Sequence, residues 1–159
     1  MKQIALIPSL FLLFILFFSS CEDDRYADWK ILNDDWLEAH KSDSGFVQSE
    51  SKSGLYYQVI HQGYMRKPGA YSNIEVKYEG KLITGTVFDK TDDDETLKTN
   101  MASVIAGWTE GVAKMNVGGR YKFYIPAELA YGEDGSGSIP PHSVLIFDIT
   151  LVASDDQLD

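Results

Sequence analysis

The sequence predicts an α+β fold in which one short helix covers one face of an antiparallel sheet. From Gly54 onward, segments of alternating apolar and polar residues recur, which is the period of half-buried strands. Turns rich in Gly and Pro separate these segments. One segment, at 107–115, has helical character and is followed by Gly118-Gly119, a helix stop signal. We therefore expect about four to six antiparallel strands and one convincing helix in this part of the chain.

Length and composition limit the class of protein. The chain has 159 residues, enough for one domain of ordinary size plus appendages. At 44% hydrophobic and 13% aromatic residues it is globular rather than disordered. Its net charge of −10 argues against sequence-independent binding of nucleic acid, which requires a basic surface. No nucleic-acid partner is expected.

The first residues have the organisation of a secretory signal peptide. The N-terminal region carries a positive charge at Lys2, and an almost unbroken apolar run follows at 4–18. This run is shorter than a typical membrane-spanning helix. The run ends in small residues directly before Cys21. This junction resembles a bacterial lipoprotein signal, which implies that Cys21 is lipidated and becomes the mature N-terminus. Several acyl chains would then hold the protein stably at a membrane of the cell envelope, with the outer membrane favoured.

The sequence leaves two alternatives to lipidation of Cys21. Phe18 stands where such signals usually have Leu, so an uncleaved anchor, or ordinary cleavage with Cys21 as a spectator, is also considered. Because the chain has a single Cys, no disulfide forms within it. The acidic residues at 22–24 resemble export tags on surface lipoproteins of the Bacteroidetes, or they are a solvated tether.

A short amphipathic helix is predicted before the domain, from about Tyr26 to His40. Its apolar residues recur at the period of one helix face: Trp29, Leu32, Trp36 and Ala39. We expect the two tryptophans to pack against the domain that follows; the alternative is a docking surface for a partner. The segment Lys41–Ser53 is rich in Ser, Gly, Asp and Lys and is predicted to be a linker.

The elements of the domain follow in order. A β-rich run at 55–60 precedes an alternating strand at 74–79, and Thr84-Gly85 predicts a hairpin turn from Leu82 into 86–88. After the helix, the segment 120–125 alternates again. The closing strand, Val144 to Val152, has four apolar residues on one face: Leu145, Phe147, Ile149 and Leu151. We predict a signal peptide at 1–20, a tether at 21–53, the domain at 54–153 and an acidic tail at 154–159.

Five different short motifs occur along the domain. They are Tyr78-Glu79-Gly80, Val87-Phe88-Asp89, Val104-Ile105-Ala106-Gly107-Trp108, Ala130-Tyr131-Gly132 and Ile139-Pro140-Pro141. In this order and spacing, the segment from Gly54 to Ala153 closely resembles the FKBP-type peptidyl-prolyl isomerases. The resemblance implies a strongly bent antiparallel sheet wrapped around the short helix, with the active site between sheet and helix. It implies no cofactor, no metal and no covalent intermediate.

The resemblance also implies roles for individual residues. Trp108 is expected to be the floor under a substrate proline ring. Walls are expected from Tyr78, Phe88, Val104, Ile105 and Phe147. Catalytic roles are expected for Tyr78, for Asp89 as a buried carboxylate that Tyr78 or a backbone donor satisfies, and for the hydroxyl of Tyr131. The Ile105 N–H is expected to bind a ligand carbonyl, and Ile139 is expected to close the pocket. For Phe147 and Val104 the alternative is that they only pack in the core.

The chain departs from the family pattern in three segments. Many relatives carry an aromatic wall residue where only Leu97 is available here, which implies reduced affinity for macrolide ligands. The Gly/Ser loop at 134–138 lacks bulky residues and is one residue short. The acidic run at 92–95 is expected to be solvated; cation binding is the alternative, although an EF-hand glycine and terminal acid are missing.

Two functions are therefore weighed. The first is a membrane-anchored prolyl isomerase that acts on proline-containing polypeptides and assists folding outside the cytoplasm. The second is a proline-binding or chaperone module with little turnover. Larger relatives dimerise through a long N-terminal helical domain, for which 22–53 is too short, so a monomer is expected.

Overall fold

The sheet contains the strands that the alternating segments predict, and two more. The computed structural model describes residues 24–157, so Cys21 and the signal segment lie outside the described residues. Every pairing is antiparallel, in the order β1-β2-β6-β7-β3-β4, with β5 also on β3. The strands are β1 (Val47–Gln48), β2 (Tyr56–His61), β3 (Asn73–Leu82), β4 (Val87–Lys90), β5 (Leu97–Asn100), β6 (Arg120–Ile125) and β7 (Leu145–Ser154).

Within residues 24–157 the fold also has two α-helices, α1 (Ala27–His40) and α2 (Ala106–Val112). Short 3-10 turns occur at Asp24–Tyr26, Met101–Ser103, Ala127–Leu129 and Asp155–Gln157. The predicted α+β class, with an antiparallel sheet, a short helix and a preceding N-terminal helix, is confirmed. Seven strands exceed the expected number because β1 and β5 are too short to show a period.

The centre of the sheet is β7, which pairs with β3 on one side and β6 on the other. Its four predicted inward residues, Leu145, Phe147, Ile149 and Leu151, are all buried. The predicted hairpin joins β3 to β4: Gly85 adopts φ +86° in a turn where its N–H donates to the Leu82 carbonyl. These contacts fix the register of the two strands that border the site described below.

Helix α2 lies directly on β6, and two glycines permit this. A Cβ on Gly107 would come within 2.3 Å of Ile125 Cγ2, and one on Gly111 within 2.8 Å of Phe123 Cδ1. The close approach turns Trp108 toward the sheet. The helix ends at Val112 rather than at Met115 as predicted, because Met115 N–H bonds the Val112 carbonyl in a tighter turn.

Helix α1 packs on the domain, as predicted, but with a different face. Leu32 is 51% exposed and Ala39 is also exposed, whereas Asn33 is fully buried. The observed contact face is therefore Trp29, Asn33 and Trp36, the i, i+4, i+7 set of a helix. The prediction selected apolar residues; it failed because Asn33 finds hydrogen-bond partners that allow its burial. None of the helices between residues 24 and 157 combines the length and apolar character that a membrane span requires.

The predicted linker 41–53 is mostly exposed, but it contains a short strand and contacts the domain at a few positions. Strand β1 pairs with β2, and the Phe46 ring stacks on Tyr124 with centroids 4.0 Å apart. Ser49 is 2% exposed, and Ser49, Ser51 and Ser53 all donate hydrogen bonds to Oε1 of Glu110 on α2. A carboxylate acceptor explains why a Ser-rich segment is ordered here. The first residues of the predicted acidic tail also contact the domain, since Asp155 bonds Asn73 and Asp156 bonds Gly69 and Ser72.

Candidate active site

A cavity of about 530 Å³ opens between α2 and the sheet. Eight of the ten residues predicted for the site line it: Tyr78, Asp89, Leu97, Val104, Ile105, Trp108, Tyr131 and Phe147. They come from β3, β4, β5, β7, the start of α2 and the turn after Ala127–Leu129. The structure therefore brings together side chains that are up to 69 positions apart in the sequence, between Tyr78 and Phe147.

The floor of the cavity is the indole of Trp108, which is 4% exposed. Two rings stand almost perpendicular to it: Tyr78, with centroids 5.1 Å apart at 84°, and Phe147, 5.2 Å apart at 87°. Edge-to-face packing of this kind fixes ring orientations and leaves a flat apolar surface. The indole Nε1–H is buried and has no hydrogen-bond partner among the described residues.

The polar rim of the cavity is formed by Tyr78 and Asp89. The Tyr78 hydroxyl donates to Asp89 Oδ2 across 2.5 Å, so the predicted partner of the carboxylate is confirmed. The predicted burial of Asp89 is wrong: the residue is exposed, because β4 is an edge strand whose far side is open to water. Burial, and then the bond to Asp89, raises the pKa of the Tyr78 phenol far above its ordinary value. The phenol therefore stays protonated and remains a donor.

Two residues with hydroxyl groups, Thr99 and Ser103, also line the cavity and were not predicted from the sequence. Thr99 lies two residues after Leu97 on β5, so both side chains point to the same face of that strand. Strand alternation from Leu97 was the signal that could have found Thr99. Ser103 lies in a 3-10 turn, where no sequence period indicates which way a side chain points.

Two predicted residues do not line the cavity. The Phe88 ring lies behind Phe147, with centroids 5.5 Å apart at 85°, and covers Gly80 closely enough that a Cβ there would be 2.6 Å from Phe88 Cζ. Ile139 is 8% exposed and belongs to the core, held by reciprocal backbone bonds with Ser136. Phe88 and Ile139 therefore support the site from behind in this structure.

Tyr131 stands at the cavity mouth, 38% exposed. The Gly132 amide bonds the Ala127 carbonyl at 2.8 Å, and the Tyr131 carbonyl accepts from Gly135 N–H at 3.1 Å. These bonds fix the backbone on both sides of the tyrosine. Between residues 24 and 157, the structure gathers no group of three His, Cys, Asp or Glu side chains suited to a metal ion.

The model of the family described as FKBP-type peptidyl-prolyl cis-trans isomerase matches residues 65–152. The FKBP-type peptidyl-prolyl cis-trans isomerase FkpA of Aeromonas hydrophila is 45% identical over 121 residues, which are 76% of this chain and 44% of that protein. The outer membrane protein MIP of Legionella longbeachae is 40% identical over 126 residues, 78% of this chain and 53% of that protein.

A solved structure shows the same fold. The crystal structure of a peptidyl-prolyl cis-trans isomerase from Pseudomonas syringae pv. tomato superposes with a TM-score of 0.75 at 28% identity, covering 81% of this chain and 95% of that one. The chain spans about half the length of each of these two sequence relatives.

Proposed function

Because this chain belongs to the family of FKBP-type peptidyl-prolyl cis-trans isomerases, we propose that it isomerises X-Pro bonds in polypeptides and so assists protein folding outside the cytoplasm. The observation that carries the proposal is the aromatic cavity above Trp108, with the Tyr78–Asp89 hydrogen bond at its rim. The shape and chemistry of this cavity suit a proline ring with a backbone amide beside it.

The chemical task requires no proton transfer and no nucleophile. Rotation about an X-Pro bond must overcome lost amide resonance, a barrier of about 18–20 kcal/mol for peptide bonds in general. The uncatalysed step takes roughly 10–100 s. A catalyst needs only to bind the twisted amide more tightly than the planar one. An apolar site also favours the twisted amide, whose charge separation is smaller.

The residues divide this task between them. Trp108, Tyr78 and Phe147 form three apolar surfaces around the position of the proline ring. Tyr131, at the mouth, and the Ile105 amide, at the start of α2, are the donors for substrate carbonyls. Asp89 fixes the Tyr78 hydroxyl and places negative charge beside the rotating amide. Fixed dipoles at the rim are worth more than free ones because they need no reorganisation during rotation.

The location of this activity is part of the proposal. The lipoprotein-like junction at Cys21 supports a lipid anchor in the cell envelope. The similarity to a protein named an outer membrane protein supports the same location. The proposed substrates are therefore proline-containing chains that fold after export.

The second candidate is a proline-binding or chaperone module with little turnover. Leu97 favours it, because one cavity wall is aliphatic where many relatives have an aromatic residue. The exposure of Asp89 favours it as well, because water weakens the field of that carboxylate. The rim hydrogen bond favours the first candidate.

A protease-coupled assay on a proline peptide, with a chain of residues 22–159, decides between the two. We expect the chain to accelerate isomerisation, and Trp108→Leu and Asp89→Ala each to lower kcat/KM by about tenfold or more. Asp94→Ala, in the exposed acidic run, is the matched control. Binding of the peptide without acceleration would select the module, and unchanged rates in both variants would refute the site.

A further inference from the structure

We infer that helix α1 positions the loop that follows Tyr131, through Trp29 and Asn33, and thereby sets how tightly the cavity holds substrate. Residues 132–144 are called here the closing loop; they connect Tyr131 to the start of β7. The kinetic part of this inference rests on the proposed function. The structural part does not.

Asn33 is the centre of the contact. Its side chain is fully buried, its Oδ1 accepts the Val144 N–H at 2.9 Å, and its Nδ2 donates to the Trp29 carbonyl at 2.8 Å. Val144 directly precedes β7, so its amide has no strand partner of its own in the register of that strand. A buried amide needs such a partner, which the helix supplies.

Trp29 makes a second contact one helical turn earlier. Its Nε1–H donates to Ser143 Oγ at 2.9 Å, and Ser143 Oγ donates to the Pro140 carbonyl at 2.7 Å. The two contacts hold adjacent residues of the closing loop from one helix face. Together, Trp29, Asn33, Ser143 and Val144 are called here the α1 brace.

The closing loop transmits this constraint to Tyr131. His142 N–H bonds the Gly132 carbonyl at 2.8 Å, so the end of the loop held by α1 is tied to the residue after Tyr131. His142 itself adopts φ +60°, a left-handed conformation that side chains other than Gly adopt at a cost. Such strain persists only where neighbours hold the backbone on both sides, and here Gly132 and the α1 brace do so.

The consequence concerns substrate affinity. The closing loop does not line the cavity, so it acts on substrate through Tyr131. A Tyr131 held in place before binding loses less conformational entropy when substrate enters, so the complex is tighter. Loosening the α1 brace should therefore raise KM, with less effect on kcat, because Trp108, Tyr78 and Asp89 lie on other elements. Trp29 and Asn33 are positioning residues in this account, since neither lines the cavity.

The test compares Asn33→Leu with Trp29→Phe, which keeps a ring but removes the N–H donor. Glu38→Gln is the matched control on the same helix, since Glu38 is exposed and forms its ion pair with Lys41. We expect Asn33→Leu to raise KM about fivefold or more with kcat changed less than about twofold, and Trp29→Phe to act in the same direction. Glu38→Gln should leave both constants unchanged.

Hydrogen exchange supplies a readout independent of activity. In both brace variants, the Ile139 and His142 amides should exchange at least about tenfold faster than in Glu38→Gln, while the Tyr121 and Phe123 amides keep their rates. Unchanged loop exchange would overturn the inference. Equal acceleration in β6 would also overturn it, because the role of α1 would then be global stability. If Asn33→Leu does not fold, Trp29→Phe decides; if the wild type lacks isomerase activity, the proposed function fails and exchange alone decides the inference.

Discussion

The hydroxyl of Tyr78 donates a 2.5 Å hydrogen bond to Oδ2 of Asp89, which holds a phenol and a carboxylate together at the rim of the cavity. The two residues lie on neighbouring strands of one hairpin, and the bond reaches across them. Since the pKa of Tyr78 is raised by burial and by this carboxylate, the phenol stays protonated, and remains a donor, at pH values at which an ordinary tyrosine ionises.

Removing this hydroxyl is the first prediction. Tyr78→Phe keeps the ring against Trp108 and Phe147 but leaves Asp89 without its donor. We expect kcat/KM for a proline peptide to fall by about tenfold, which corresponds to the loss of a hydrogen bond to a charged group. The control is Tyr71→Phe, because Tyr71 is 81% exposed. An equal loss in both variants would show that the rim bond has no special role.

The aliphatic wall gives the second prediction. Leu97 lines the cavity on β5 where many relatives of the family have an aromatic residue. Leu97→Phe should tighten binding of a macrolide ligand by about fivefold, because an aromatic wall adds apolar contact area. Leu97→Ala should weaken it. The measurement is a titration of tryptophan fluorescence, to which Trp29 and Trp36 contribute as well as Trp108. Weaker binding by the Phe variant would show that the wall is closed to the ligand.

The serine cluster around Glu110 gives a pH-dependent prediction. Burial acts to raise the pKa of Glu110, but hydrogen bonds from Ser49, Ser51 and Ser53, with the charge of Lys114, lower it below its ordinary value. A carboxyl whose pKa is lower in the folded state contributes stability above its unfolded pKa, and that contribution is lost as the pH falls through the folded pKa.

Glu110→Gln keeps an acceptor oxygen and removes the titration. The free energy of unfolding in urea should therefore fall less steeply for this variant than for the wild type between about pH 5 and about pH 3. Glu128→Gln serves as an exposed control and should retain the wild-type slope. Identical slopes for all three proteins would mean that the serine cluster does not favour the ionised carboxylate.

Membrane attachment is the fourth prediction, and it concerns a residue outside those described. Cys21→Ala removes the only thiol that a lipid transferase can modify. We expect the full chain to move from the membrane fraction to the soluble fraction, because the variant has no acylated residue to hold it at the membrane. Cell fractionation followed by immunoblotting measures this. Retention of the variant in the membrane fraction would contradict lipid anchoring.

The sequence predicted the strands that are long enough to show an alternating pattern. Strand β7 buries the four residues that the alternation selected, and the Thr84-Gly85 turn joins β3 to β4 as expected. The five motifs together indicated the family and, through that resemblance, most of the cavity lining. The structure adds the reason for the Gly-Trp step, since a Cβ on Gly107 would collide with Ile125 on β6.

The prediction of the site was less complete in segments whose side-chain orientation follows no regular period. Thr99 and Ser103 line the cavity without having been identified, while Phe88 and Ile139 were expected in the lining and lie behind it. Strand β5 has too few apolar residues for its pattern to be recognised, and a loop such as 132–144 has no period at all.

What the sequence by itself determined is the set of elements whose side chains repeat with a fixed period, together with the motif residues that such elements carry. The tertiary structure alone decided that Asn33 is buried while Leu32 is exposed, and that Ser49, in the mostly exposed segment 41–53, is buried. The reason is physical. A polar side chain becomes a core residue when a distant partner, here the Val144 amide or the Glu110 carboxylate, satisfies its hydrogen bonds. Such partners are brought near only by the completed fold.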